Sequence, residues 1–247
     1  MIPLYVGYDL REAAVYHTFC QSVIEQASKP VMFIPLHESM LDGFDGQQDG
    51  TNKFIYSRYL VPYLNGFYGA AVFCDGDMVV NADINELLEL FDPDKAVQVV
   101  KHKYRTKAER KYVGTPLESR NVDYPRKNQS SVMIFNCAHP ANTILTPEFV
   151  SEAGGSFLHR FEWLNEDQIG ELPFEWNWLE LEYMHNPDAK LFHHTLGSPG
   201  FKTYEDSPSA RLWNHYLLNA LNMEGERQHE MVRRAHWNNR PVEKVIG

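Results

Sequence analysis

The sequence predicts an α/β fold with a Rossmann-like, mostly parallel central sheet flanked by helices, and three observations carry that expectation. Short, continuous apolar segments occur at 2–6, 31–35, 70–74, 96–100 and 132–135, and strands buried on both faces of a parallel sheet read this way instead of alternating. Polar or helix-patterned stretches separate them, as crossover connections require. Finally, 43% hydrophobic and 13% aromatic content over 247 residues is enough to fill the core of such a sheet.

Taken in order, the first strand leads into Gly7, Tyr8 and Asp9. Residues 12–27 place Ala13, Val15, Tyr16, Phe19, Cys20, Val23 and Ile24 on an approximate helical stripe, so the chain opens with a β-α-β unit. Strand 70–74 runs into Asp75-Gly76-Asp77. Asp83, with Glu86 three residues on, has the capping-box pattern, and Leu87, Leu88, Leu90 and Phe91 supply the face of the helix it would start. Residues 101–128 form a long excursion rich in charge, with Gly114, Pro116 and Pro125 and three interspersed tyrosines, and long loops in compact domains are often functional. Segments 210–222 and 226–235 read as helices. No linker or internal repeat divides the chain, so the expected organisation is one domain over 1–247 with 207–247 as a C-terminal helical extension.

Charge and cysteine usage narrow the function. Lys and Arg total 23 against 33 Asp and Glu, a formal net charge of -10, which argues against nucleic acid as a partner and against anchoring on an anionic membrane. Cys20, Cys74 and Cys137 are far apart and form no C-x-x-C pair, so neither a disulfide framework nor a cysteine zinc site is expected and a reduced cytoplasm fits best. The first residues show no secretory pattern and no apolar run reaches membrane-spanning length, which leaves room only for peripheral association with lipid-linked substrates.

The strongest chemical signal is Asp75-Gly76-Asp77 at the end of a buried strand, where open α/β sheets bind their ligands. Residues two apart on an extended segment project to one side, so both carboxylates can address one cation, and oxygen ligands suit Mg²⁺ or Mn²⁺. Gly76 allows a turn or a close approach. The same tripeptide also serves as a plain solvated turn. It matches, too, the nucleophile motif of haloacid-dehalogenase-type phosphohydrolases, with Asp75 attacking phosphate, although here a β-α-β unit precedes it.

The segments Val6-Gly7-Tyr8-Asp9, Tyr56-Ser57-Arg58, Val72-Phe73-Cys74-Asp75-Gly76-Asp77, Asn128-Gln129-Ser130-Ser131, Asp167-Gln168 and His193-His194-Thr195-Leu196-Gly197 span most of the chain in this order. Together they resemble the family-8 retaining glycosyltransferases, the family of glycogenin and bacterial lipopolysaccharide galactosyltransferases, and in particular its shorter bacterial members. The resemblance implies a GT-A fold. It also implies metal-dependent transfer, with retention, from a nucleotide-sugar donor, a UDP-sugar, to a carbohydrate, lipid-linked or protein acceptor.

By the same resemblance, Gly7, Tyr8 and Asp9 lie against the nucleotide base and ribose, Arg58 approaches the phosphate or sugar, and Asn128, Ser130 and Ser131 bond the donor sugar. Asp75, Asp77 and a late histidine hold the metal. His193 gives the fuller local match, while a shorter spacing to Gly197 selects His194. A mixed carboxylate and imidazole site favours Mn²⁺ over Mg²⁺. Asp167 and Gln168 take the catalytic position beside the sugar ring, although Asn165 to Gln168 would equally cap a helix. Ser198-Pro199-Gly200-Phe201 departs from the family's usual segment, so the basic contact to the diphosphate passes to Lys202, or to Arg126 or Lys127. Trp163, Trp176 and Trp178 read as core or as stacking surface, and Asn177 as part of an acceptor cleft. A binder that keeps the fold without turnover is the third reading.

Overall fold

The computed structural model describes residues 3–41, 44 and 54–221. Strands β1 (Pro3–Gly7), β2 (Met32–Leu36) and β3 (Ala70–Cys74) surround helix α1 (Ala13–Gln26) and the single-turn α2 (Val61–Leu64) in sequence. There follow β4 (Met78–Val80), α3 (Ile84–Leu88), β5 (Val97–Val99) and the short pair β6 (Arg110–Lys111) and β7 (Ser119–Arg120). Strand β8 (Val132–Asn136), helices α4 (Pro147–Glu152) and α5 (Gly155–His159), strands β9 (Ile169–Glu171), β10 (Trp178–Leu179) and β11 (Leu191–His193), and helix α6 (Ala210–Ala220) complete the described chain.

Six strands form the central sheet in the order β2-β1-β3-β8-β5-β9, and β8 alone runs against the others. The alternation of side chains along each strand builds two cores. Tyr5, Phe73, Met133 and Phe135 face one side, where they meet Tyr59, Leu60, Leu158 and Phe161. Leu4, Val6, Val72, Val132 and Ile134 face the other, against Phe19 and Val23 of α1 and Ile84 and Leu87 of α3. This two-sided burial explains the continuous apolar runs in the sequence. Only β2, at the sheet edge, is half-exposed.

A second, three-stranded sheet, β10-β11-β4, rides on the first. Its antiparallel β11–β4 register sets His193 opposite Met78, the residue after Asp77. Helix α6 packs Trp213 and Tyr216 against Val15 of α1, Val79 and Phe192, so the expected helix at 210–222 is present as Ala210–Ala220. The second expected helix, 226–235, lies outside the described residues.

Two local expectations change. Asp83 caps α3 by accepting from the Asn85 amide, but Glu86 does not return the bond and pairs instead with Lys190. The excursion 101–128 is mostly irregular, stiffened by the β6–β7 ladder. Cys20, Cys74 and Cys137 carry no disulfide, and no helix among the described residues is long and apolar enough to cross a membrane.

Candidate active site

Parallel strands β1, β3 and β5 end on the same edge of the sheet, and the segment Asp75 to Asp77 sits there, joining β3 to β4. The Asp75 amide donates to the Ser131 carbonyl at 2.9 Å, which pins the start of the segment to β8. At Gly76 the close approach expected from sequence is made by protein backbone, because a β-carbon there would lie 2.4 Å from the Gly7 carbonyl oxygen.

Two strands far apart in sequence complete the cluster. His193 Nε2 lies 3.3 Å from Asp77 Oδ1 and 3.7 Å from Asp75 Oδ2, and one ligand atom from each of the three residues falls within 4.8 Å of the others. His194, by contrast, is fastened to the Asp77 carbonyl through its amide and Nδ1, and to Ser209 Oγ through Nε2. Burial holds its imidazole down to about 4. The register therefore turns His193 to the carboxylates and gives His194 a packing role.

Each member of the cluster is held by a neighbour. Asn177 Nδ2 donates to the Asn128 carbonyl at 3.0 Å, leaving its Oδ1 to face His193 Nδ1 at 2.9 Å. His193 Nδ1 must then carry a proton, so Nε2, which faces Asp77, is the nitrogen that would give up its own proton to take a cation. Tyr112 donates its hydroxyl to Asp77 Oδ2 at 2.6 Å. Arg58, buried between the rings of Phe54 and Phe73, sits 2.9 Å from Asp75 Oδ1 and donates to the Ser130 carbonyl at 3.0 Å.

The electrostatics show a shortage of positive charge. Burial pushes Asp75 up, and Arg58 only partly counters it. Burial acts on Asp77 too, but the adjacent His193 and the hydrogen bonds from His193 and Tyr112 outweigh it and hold that carboxyl at about 2. Glu12, on the turn after β1, is raised to about 8 by burial and then by the charge of Asp77, and its Oε1 has no hydrogen-bond partner among the described residues. Two hard oxygen donors and one oriented imidazole, crowded by a third acid, fit a divalent cation such as Mn²⁺.

A cleft with a cavity volume of about 110 Å³ opens over the cluster. Of the residues expected from sequence it is lined by Arg58, Asp75, Asp77, Asn128, Ser130, Ser131 and His193. Glu12, Lys111, Tyr112, Tyr124, His159 and Thr195 join them without having been expected. His159 is hydrogen-bonded at Nδ1 to Tyr59 and Ser130, and burial, reinforced by the charges of Arg58 and Lys111, lowers it to about 3. Thr195 lies in the His193–Gly197 segment and Lys111, Tyr112 and Tyr124 in the long loop, whereas Glu12 and His159 carry no motif.

Other expected residues are not brought to the cleft wall. Gly7 ends β1 behind Gly76, Tyr8 packs edge-on against Tyr16, and Asp9 caps the following turn and binds Arg11. Gly197 packs on the Tyr204 ring, and Lys202 is exposed on a separate turn. Arg126 is engaged by Arg160 and Glu166. Asp167 and Gln168 precede β9 at the opposite edge of the sheet, level with Ala96. There Gln168 Oε1 accepts from the Asn165 amide at 2.8 Å and closes a capping box, the alternative the sequence left open. Trp176 is core, and Asn177 serves the histidine.

No protein-family model matches the chain. Protein CDI of Arabidopsis thaliana is 38% identical over 226 residues, covering 85% of this chain and 83% of its own length. The apo structure of the bifunctional glycosyltransferase WbbM superposes with a TM-score of 0.63 at 15% identity over 94% of this chain, which spans about half (51%) of that protein. The galactosyltransferase LgtC, solved in complex with donor and acceptor sugar analogues, gives a TM-score of 0.57 at 12% identity, over 95% of this chain and 100% of that one. At such identities the likeness is one of fold, and the fold is that of the GT-A glycosyltransferases.

Proposed function

We propose, for a chain that belongs to the family of Protein CDI of Arabidopsis thaliana and carries the GT-A fold, that it is a metal-dependent retaining glycosyltransferase using a nucleotide-sugar donor. The single observation that carries this reading is the meeting of Asp75, Asp77 and His193 at the ligand-binding edge of the sheet. UDP as the nucleotide, and retention, follow from the resemblance to the family-8 enzymes.

Asp75, Asp77 and His193 hold the cation. When bound, it neutralises negative charge that develops on the leaving diphosphate. The chain's own residues prepare for that. Arg58 keeps Asp75 in place, Tyr112 keeps Asp77 in place, and Asn177 selects the histidine tautomer that offers Nε2. Glu12 is the remaining acid on the cleft wall among the described residues, placed to hydrogen-bond a donor hydroxyl. Asn128, Ser130 and Ser131 line the cleft and, by the resemblance, hydrogen-bond the donor sugar.

The test is calorimetric binding of UDP, GDP and ADP to the purified protein with and without Mn²⁺, repeated on Asp75→Asn/Asp77→Asn. UDP binding that needs metal and vanishes in the double variant is expected. Metal-independent or absent nucleotide binding would overturn the reading and bring back the phosphohydrolase alternative. Slow hydrolysis of a UDP-sugar by the wild type separates an enzyme from a binder without turnover.

A further inference from the structure

A second cavity, of about 300 Å³, adjoins the cleft over the carboxylates, at the low end of the range of about 300–1,000 Å³ usual for small-molecule sites. The two communicate, because Lys111, Asn128, His159 and Thr195 line both. In a chain of net charge -10 this cavity is cationic. Lys111, Arg120 and Lys127 stand on its wall, and no carboxylate does among the described lining residues.

The β6–β7 ladder concentrates the charge by setting Arg110 opposite Arg120 and Lys111 opposite Ser119. Arg110 is matched by Glu118, whereas Lys111 and Arg120 have no carboxylate partner among the described residues. Lys127 reaches only neutral acceptors, Asn121 Oδ1 and the Val122 carbonyl. Where the cavities meet, Thr195 Oγ1 is buried with no hydrogen-bond partner among the described residues. Lys111 and Lys127 are half-buried and Arg120 is exposed; Asp123 and Glu182 act on Lys127 but line neither cavity, so an anion entering the second cavity would meet three cations and no carboxylate on its described wall. Arg120 and Lys127 do not line the carboxylate cleft, so the donor's diphosphate, placed at the cluster, is not the anion they face.

Resting on the transferase reading above, we propose that the second cavity is the acceptor subsite and selects acceptors that carry a phosphate or carboxylate group. Arg120 and Lys127 receive that group, and Lys111 stands at the junction with the donor cleft. In the transfer, the acceptor hydroxyl oxygen forms the new bond to the anomeric carbon as the bond to the diphosphate oxygen breaks. The hydroxyl proton leaves with the released nucleoside diphosphate, and the anionic group takes no part in the bond changes.

The experiment titrates glucose 6-phosphate, glucuronate and glucose into the full chain, alone and saturated with UDP and Mn²⁺, for the wild type, Arg120→Gln and Arg120→Gln/Lys127→Gln. Both anionic sugars are expected to bind about tenfold or more tightly than glucose, as charge-assisted hydrogen bonds allow. The preference should weaken in the single variant and disappear in the double one, while UDP affinity stays unchanged. Equal binding of the three sugars, binding of none, or a preference that survives the double variant would overturn the proposal. A loss of UDP affinity in the variants would overturn it too, by assigning these cations to the donor. Failure of the wild type to bind UDP sinks the transferase reading instead, and the sugar titrations without nucleotide then judge the cavity by themselves.

Discussion

The Asn177 side chain bridges His193 Nδ1, at 2.9 Å, and the Asn128 carbonyl, at 3.0 Å, so the loop before β8 and the histidine that faces the two aspartates are oriented by one buried amide. Leucine at this position has a similar shape and no hydrogen bonds. Asn177→Leu is expected to leave the ring free to rotate and to change tautomer, lowering Mn²⁺ affinity about 10–100-fold. Two buried groups also lose their partner, at a cost of about 1–3 kcal/mol each. Calorimetric Mn²⁺ titration checks the first effect and urea unfolding the second; unchanged metal affinity would show that Asn177 does not orient His193.

Arg58 and Asp75 form a buried ion pair with both side chains almost wholly enclosed. Replacing the arginine leaves the carboxylate uncompensated, and Arg58→Met is expected to destabilise the metal-free protein by about 3–5 kcal/mol. A ligand that binds only the folded state stabilises it by mass action, and a cation at the cluster supplies the charge that Arg58 no longer does. Saturating Mn²⁺ should therefore raise the melting temperature of the variant more than that of the wild type. Equal increments would mean that the metal does not sit beside Asp75.

Gly76 separates the two aspartates, and any β-carbon there meets the Gly7 carbonyl at 2.4 Å. Both partners are backbone, so neither can swing aside. Gly76→Ala is expected to push the Asp75–Asp77 segment away from β1 and abolish Mn²⁺-dependent nucleotide binding, while the two hydrophobic cores keep the protein folded. Circular dichroism and nucleotide calorimetry on one sample test both halves; wild-type nucleotide affinity would show that the segment tolerates the shift.

Legibility followed burial. Strand β3 matches the expected run 70–74 because all its side chains face packed layers, and the same holds for β1 and β8 within a residue. Strand β9 was not expected: it is three residues long and contains Gly170 and exposed Glu171, so neither apolarity nor alternation marks it. At the site, Asp75 and Asp77 were readable because a strand end and a two-residue spacing place them. The distinction between His193 and His194 is a matter of sheet register, which sets one opposite Met78 and the other against Ser209, and short strands do not announce their register. Asn165 to Gln168 were equally readable as a cap or as a donor site, and the hydrogen bonds form the cap. Glu12 and His159 owe their place to tertiary packing alone.

Three histidines make acid stability a further readout. His102 and His159 are lowered to about 3 and His194 to about 4, each first by burial. In the unfolded chain they take up protons near pH 6.5, so between those values the unfolded state binds more protons than the folded one. Stability must then fall as pH drops from about 6.5 towards 4, by up to about 1.4 kcal/mol per pH unit for each histidine. Glu12 acts the other way. Held protonated to about 8, it contributes stability that is full below its unfolded value and is lost as pH rises through 8. His102 packs among Phe174, Tyr104 and Tyr183, so His102→Phe keeps the ring and removes one titration. Urea unfolding of the metal-free protein at pH 7, 6 and 5 is expected to give a shallower loss for this variant than for the wild type. Glu12→Gln should instead gain stability relative to the wild type between pH 6 and 8, most of all without metal. Parallel pH profiles for the His102 variant and the wild type would mean that the imidazole is protonated in the folded chain, and that its burial does not exclude the charge.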